Sequence, residues 1–68
     1  MYLYRAKIKN SNQTKGLRQS FLNVNDCIKY AKEEQKKPFN KNFTKVEIYS
    51  HWVENGKNKE KLLFMLGE

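Results

Sequence analysis

The sequence holds one cysteine, one histidine and one proline, and these scarcities exclude whole classes of protein. Cys27 has no second cysteine with which to form an intrachain disulfide, so a disulfide-stabilised secreted scaffold is excluded. Cys27 and His51 together are too few to close a tetrahedral metal site within one chain. We therefore expect no metal and no cofactor, and the lone thiol fits a reducing compartment.

Long apolar runs are also missing. The longest, Leu62 to Leu66, is far shorter than the roughly 18 residues that a membrane span needs. The first residues, Met1 to Arg5, lack the form of a signal peptide. The sequence therefore predicts a soluble protein with no membrane association, located in the cytoplasm.

No combination of residues typical of catalysis is present. Glu33 and Glu34 are adjacent on a predicted helix and so point about 100° apart, and the chain has no glycine-rich phosphate loop. Cys27 and His51 could pair as nucleophile and base, but Cys27 falls on the apolar stripe of the predicted helix, where a cysteine acts as a small hydrophobic residue. We expect no enzymatic activity, no catalytic residue and no small-molecule substrate.

Positive charge is abundant by contrast. Fourteen Lys and Arg against seven Asp and Glu give a net charge of +7, which predicts an acidic macromolecule as partner. Twelve of the fourteen cations are Lys, and only Arg5 and Arg18 are Arg. Base-edge readout and bidentate phosphate contacts favour Arg, so the composition favours an acidic protein over a nucleic acid.

The pattern of apolar residues predicts one small α+β domain over residues 1–68, in the order β-β-α-β-β. Alternation of apolar and polar residues indicates strands, and a spacing of three and four indicates the helix. Asn23 can cap the helix, Asp26 lies in its first turn, and Pro38 stops it. We expect strands at about 2–9, 17–22, 44–53 and 59–66, and a helix at about 24–36 that packs on one face of an antiparallel sheet.

Asn55-Gly56 predicts a hairpin between the last two strands, but the length of its loop decides which side chains share a face. An odd-numbered loop, which we favour, places Val46, Ile48 and Trp52 on one face with Leu62, Phe64 and Leu66. A two-residue loop would instead place Val46 and Ile48 beside Met65 and Leu63.

Two candidate binding surfaces follow from this arrangement. The first is a cationic sheet face that could contact an acidic partner or a nucleic acid, formed by Arg5, Lys7, Lys9, Arg18 and Lys45. The second is an apolar set of residue types that are enriched in the cores of protein interfaces. It comprises Tyr49, Trp52, Val53, Leu63 and Met65.

These features favour a small regulator or inhibitor, of the kind that phages and mobile elements encode to occupy a host or defence protein. The alternative is a basic protein that binds nucleic acid through its cationic sheet face, and a purely structural subunit is a third possibility. A sheet with one helix leaves apolar residues and strand edges uncovered, so we also expect a homodimer.

Overall fold

A computed structural model describes residues 2–67 and contains one antiparallel sheet and one α-helix in that range. The strands are β1 (Leu3–Lys9), β2 (Thr14–Gly16), β3 (Lys45–Glu54) and β4 (Lys57–Gly67), and the helix is α1 (Val24–Gln35). A short 3-10 helix, Pro38–Asn40, follows α1. The sheet order is β2-β1-β3-β4. The predicted α+β fold and the order of its elements are confirmed.

The second strand lies earlier in the chain than residues 17–22, where the sequence predicted it. The side chain of Asn10 accepts hydrogen bonds from the backbone N–H of Asn12 and of Gln13, at 2.8 and 2.7 Å, and this tightens the turn. Pairing with β1 therefore resumes at once, at Thr14. Beyond Gly16 the chain returns to β1 at Leu17, whose N–H donates to the carbonyl of Ala6, and at Phe21.

The helix begins as the sequence predicts. The Asn23 side chain accepts a hydrogen bond of 2.7 Å from the backbone N–H of Asn25, which satisfies one of the free donors of the first turn. Because α1 packs on β1 and β3, its apolar stripe closes the core from one side. The core side chains are Ala6, Ile8, Leu17, Cys27, Ala31, Val46 and Ile48.

A buried asparagine holds the segment after the helix in place. Asn40 is fully buried; its side-chain amide donates to the carbonyl of Glu34 at 2.8 Å, and its side-chain oxygen accepts from Lys15 Nζ at 3.0 Å. Asn40 therefore joins the C-terminal end of α1, the 3-10 helix and β2, and positions the start of β3.

The β3–β4 hairpin closes through two residues, so the favoured odd-numbered loop is wrong. Glu54 pairs with Lys57, and the turn residues Asn55 and Gly56 have φ values of 52° and 76°. Positive φ at both positions is typical of a type I′ turn, whose backbone twist matches the right-handed twist of the flanking strands.

The additional residue that an odd-numbered loop would have held lies instead within β4, where it forms a bulge. The pairing of Tyr49 with Leu62 is followed by the pairing of Ile48 with Phe64, so Leu63 is the inserted residue. Beyond the bulge Val46 pairs with Leu66, and both Leu66 and Phe64 share the face of the core, as the odd loop also predicted. Leu62, which the odd loop placed on that face, points to the opposite one.

Candidate functional site

The outermost strand, β4, is exposed along nearly all of its length. Four consecutive large apolar residues on it are between 37% and 48% exposed, and Val53 on β3 is 69% exposed. Isolated apolar residues are common on protein surfaces, but several neighbouring ones, here distributed over both faces of the hairpin, form a candidate contact site. We call this group the hairpin surface; it comprises Val53, Leu62, Leu63, Phe64 and Met65.

The sheet divides the predicted apolar set between its two faces. Tyr49, Val53 and Met65 lie on the face opposite α1, here called the open face, because odd positions of β3 and their partners point away from the helix. Trp52 lies on the helix side, and so does Leu63, which lines a hollow there with Trp52. Alternation along β3 separates Trp52 from Tyr49 and Val53, and the bulge places Leu63 on the helix side, so the predicted set does not form one face.

The hollow on the helix side lies at the end of the sheet that the helix leaves uncovered. Its volume is about 480 Å³, and its lining residues are Tyr2, Tyr4, Ser50, Trp52, Lys61 and Leu63. The rings of Tyr2 and Trp52 meet edge to face, with their centroids 5.2 Å apart. Alternation along β1 and β3 places these aromatic residues on one face, but the sequence alone did not predict that Tyr2 and Tyr4 lie beside Trp52.

On the open face Tyr49 is held by polar neighbours. Its hydroxyl donates to Glu47 Oε1 at 3.1 Å, and Lys7 Nζ lies 4.2 Å from the centre of its ring. Burial raises the pKa of Tyr49 above its ordinary value, and the hydrogen bond to Glu47 raises it further. Tyr49 is therefore neutral at neutral pH, and its ring is held in one orientation.

The predicted cationic residues mostly share this open face. Arg5, Lys7 and Lys9 follow one another along β1, and Lys45 pairs with Lys9 across the strands. Arg18 lies beyond the end of β2, where its carbonyl accepts a hydrogen bond of 3.3 Å from the Arg5 guanidinium.

Carboxylates interrupt the cationic residues of the open face. Lys7 Nζ is 3.1 Å from Glu60 Oε1, and Lys9 Nζ is 3.6 Å from Glu47 Oε2. A phosphate chain laid along this face would therefore meet two negative charges among the lysines, which makes the open face one of mixed charge.

A second group of lysines lies on the helix side of β4 and escaped the sequence analysis. Each of these lysines is paired with a residue of β3 whose side chain points to the helix side: Lys57 with Glu54, Lys59 with Trp52, and Lys61 with Ser50. All three are exposed, and within residues 2–67 none of them makes a salt bridge. We call this group the lysine row; it comprises Lys57, Lys59 and Lys61.

The two residues with nucleophile and base chemistry are separated. Cys27 is fully buried on the side of α1 that packs against the sheet, and burial raises the pKa of its thiol. His51 lies on the open face, with Nε2 3.3 Å from Ser20 Oγ. The part of the chain that the structure describes holds no cluster of three His, Cys, Asp or Glu able to bind a metal ion.

Two further findings concern the chain as a whole. Between residues 2 and 67 no helix is long and apolar enough to cross a lipid bilayer. Comparison with protein-family models, with curated protein sequences and with solved structures found no match to this chain.

Proposed function

We propose that this chain is a non-catalytic protein-binding module that docks on an acidic protein through its β3–β4 hairpin. The form of this function that we favour is a cytoplasmic regulator or inhibitor that occupies a host or defence protein, as small phage-encoded proteins do. Its small size and its exposed terminal strand support that role.

The exposure of the hairpin surface is the observation that carries the proposal. Fully burying one Val, Leu, Phe or Met side chain contributes about 1.5 to 3 kcal/mol. Since these side chains are already partly covered, a partner would gain roughly 1 kcal/mol from each one that it covers. Val53, Leu62 and Met65 are reached from the open face, and Leu63 and Phe64 from the helix side. The hollow beside Trp52 offers a concave position for an apolar side chain of the partner.

The distribution of charge favours a protein over a nucleic acid. Glu60 and Glu47 neutralise Lys7 and Lys9 on the open face, where the nucleic-acid alternative would place phosphates. The surplus of seven positive charges still accelerates the encounter with an acidic surface. Apolar contacts would then supply the affinity, and charge would supply mainly the rate.

A capture experiment from a bacterial host lysate tests this proposal. The double variant Val53→Ser and Met65→Ser should lose partners that the parent chain retains after nuclease treatment. Leu22→Ser is the matched control, since Leu22 is 70% exposed but lies outside the hairpin. Retention that depends equally on Leu22 would contradict docking by the hairpin, and loss of all partners after nuclease would favour the nucleic-acid alternative.

A comparison of aromatic and charged variants provides a second test on any partner so identified. Tyr49→Ala or Trp52→Ala should weaken binding more than Lys7→Gln combined with Lys9→Gln, which should mainly slow association. Each variant is first shown to be folded by circular dichroism. Dominance of the lysine pair, with affinity that falls by orders of magnitude between about 50 and 200 mM salt, would refute the proposal.

A further inference from the structure

The outer edge of β4 presents free backbone groups in a regular array. β4 is the last strand of the sheet, so within residues 2–67 its outer edge has no partner strand. Glu54 and Lys57 close the two-residue turn and exchange backbone hydrogen bonds. Bonding alternates along an antiparallel pair, so the N–H and C=O groups of Asn58, Glu60 and Leu62 point outward.

The lysine row runs along the same edge. Side chains two residues apart on a strand are about 6.5 to 7 Å apart and point to the same face. Lys57, Lys59 and Lys61 therefore form a line of positive charges beside the free backbone groups. An antiparallel neighbour strand would place every second side chain opposite this line.

A second copy of the chain fits this edge poorly. Two-fold antiparallel pairing of the regular part of β4 can be centred on Lys59, Glu60 or Lys61. Each choice places lysine directly opposite lysine, which destabilises a strand pair. Pairing centred further along meets the bulge at Leu63, which breaks the regular array. Lysines and a bulge are both features that keep edge strands from self-pairing.

We propose, on the basis of the proposed function, that the partner supplies an extended acidic segment that adds to β4 as a fifth strand beside residues 57–62. Its backbone bonds to Asn58, Glu60 and Leu62, and its Asp or Glu side chains at alternate positions face the lysine row. Strand addition of this kind takes affinity from main-chain hydrogen bonds and specificity from alternate side chains. The charges that oppose a second copy thus select an acidic strand.

A single-stranded nucleic acid would form fewer of the contacts that the edge of β4 offers. Its phosphates would contact the lysine row, and a base could stack near Tyr2 and Trp52. A phosphodiester backbone, however, has no N–H groups to donate to the outward carbonyls of Asn58, Glu60 and Leu62. The peptide strand satisfies both the charges and the backbone edge, so it is the occupant that the geometry favours.

Three capped ten-residue peptides test the proposal by NMR titration of the full chain. The first alternates glutamate and threonine, the second replaces each glutamate by glutamine, and the third carries N-methyl groups on alternate backbone amides along one edge. We expect the first to bind, the second to bind at least tenfold more weakly, and the third not to bind. Amide hydrogen exchange at Asn58, Glu60 and Leu62 should slow only with the first two.

Charge-matched variants show whether the lysine row is the contact. Replacing its three lysines by glutamine should weaken the binding of the first peptide about tenfold, since each of the three exposed ion pairs that are lost contributes a factor of about two. The control replaces three exposed lysines on and beside α1, namely Lys29, Lys32 and Lys36, and lowers the net charge equally. The control should change the affinity by less than twofold.

Four results would overturn strand addition: undiminished binding of the N-methylated peptide, equal losses in the two triple variants, no binding by any peptide, or binding of ten-nucleotide oligothymidylate in place of the peptides. The proposed function is judged separately. If capture from the lysate still depends on Val53 and Met65, docking by the hairpin holds even where strand addition fails.

Discussion

Removal of the buried asparagine tests how the segment after the helix is held. Asn40→Ala deletes the hydrogen bond to the Glu34 carbonyl and the one from Lys15. The first contributes about 1 kcal/mol, and its loss leaves the Glu34 carbonyl with only the longer hydrogen bond of 3.3 Å from the Lys37 N–H. The second involves a charge but contributes only about 1 kcal/mol, because the half-exposed Lys15 can regain water.

The expected loss is therefore about 2 kcal/mol, out of roughly 3 to 10 kcal/mol for a domain of this length. Urea unfolding followed by circular dichroism measures it. With a slope of about 1 kcal/mol/M, the midpoint should fall by about 2 M. Asn40→Asp keeps the acceptor for Lys15 but loses the donor to Glu34, so it should also destabilise the chain.

Asn42→Ala is the matched control, because Asn42 lies two residues further on and is exposed. It should change the free energy of unfolding by less than about 0.5 kcal/mol. If Asn40→Ala and Asn42→Ala have the same effect, Asn40 does not hold the 3-10 helix to α1, and the account of how β3 is positioned is refuted.

Three other measurements check separate parts of the structure. Burial raises the pKa of the Cys27 thiol above its ordinary value, so the unfolded chain releases this proton at a lower pH than the folded chain does. Stability should therefore fall as the pH rises through the ordinary thiol pKa of about 8.5, and Cys27→Ala should lose less stability than the parent above that pH. At both Gly16 and Gly56 an added methyl group meets open space, so only the backbone conformation differs between them. Gly56→Ala should therefore lower the free energy of unfolding by about 1 kcal/mol because of the positive φ, whereas Gly16→Ala should leave it unchanged. The homodimer expected from the sequence stays a prediction, and because the β4 edge opposes a second copy, it would have to form through side chains of the open face such as Leu62. Sedimentation velocity at high micromolar concentration should then show a dimer that Leu62→Ser disrupts, and a strict monomer would contradict it.

The order of elements and the helix could be predicted from the sequence because their signals are local. Alternation at Tyr4, Ala6 and Ile8 follows from the two-residue period of a strand, and Asn23 caps α1 through atoms two residues away. Cys27 and Ala31 lie in the core because their spacing places them on one face of the helix. These patterns depend only on the geometry of a single element.

The position of β2 and the face of Leu63 could not be predicted, because each depends on how two strands meet. Because the turn at Asn10 is tight, β2 lies at Thr14–Gly16 rather than at the predicted residues 17–22. At the hairpin, the tight Asn55-Gly56 turn and the apolar pairs beyond it require registers that differ by one residue, and the bulge at Leu63 accommodates the difference. The sequence contains both requirements but does not reveal where the extra residue is absorbed.

The candidate site shows the same division between local and tertiary information. Composition and alternation by themselves determined that this chain is small and basic and that it carries more apolar strand residues than one helix can cover. Only the tertiary structure decided that Leu63 and Met65 lie on different faces, and that Lys7 is neutralised by Glu60, 53 residues away in the chain. Contacts across that separation depend on the packing of whole strands, which no local pattern encodes.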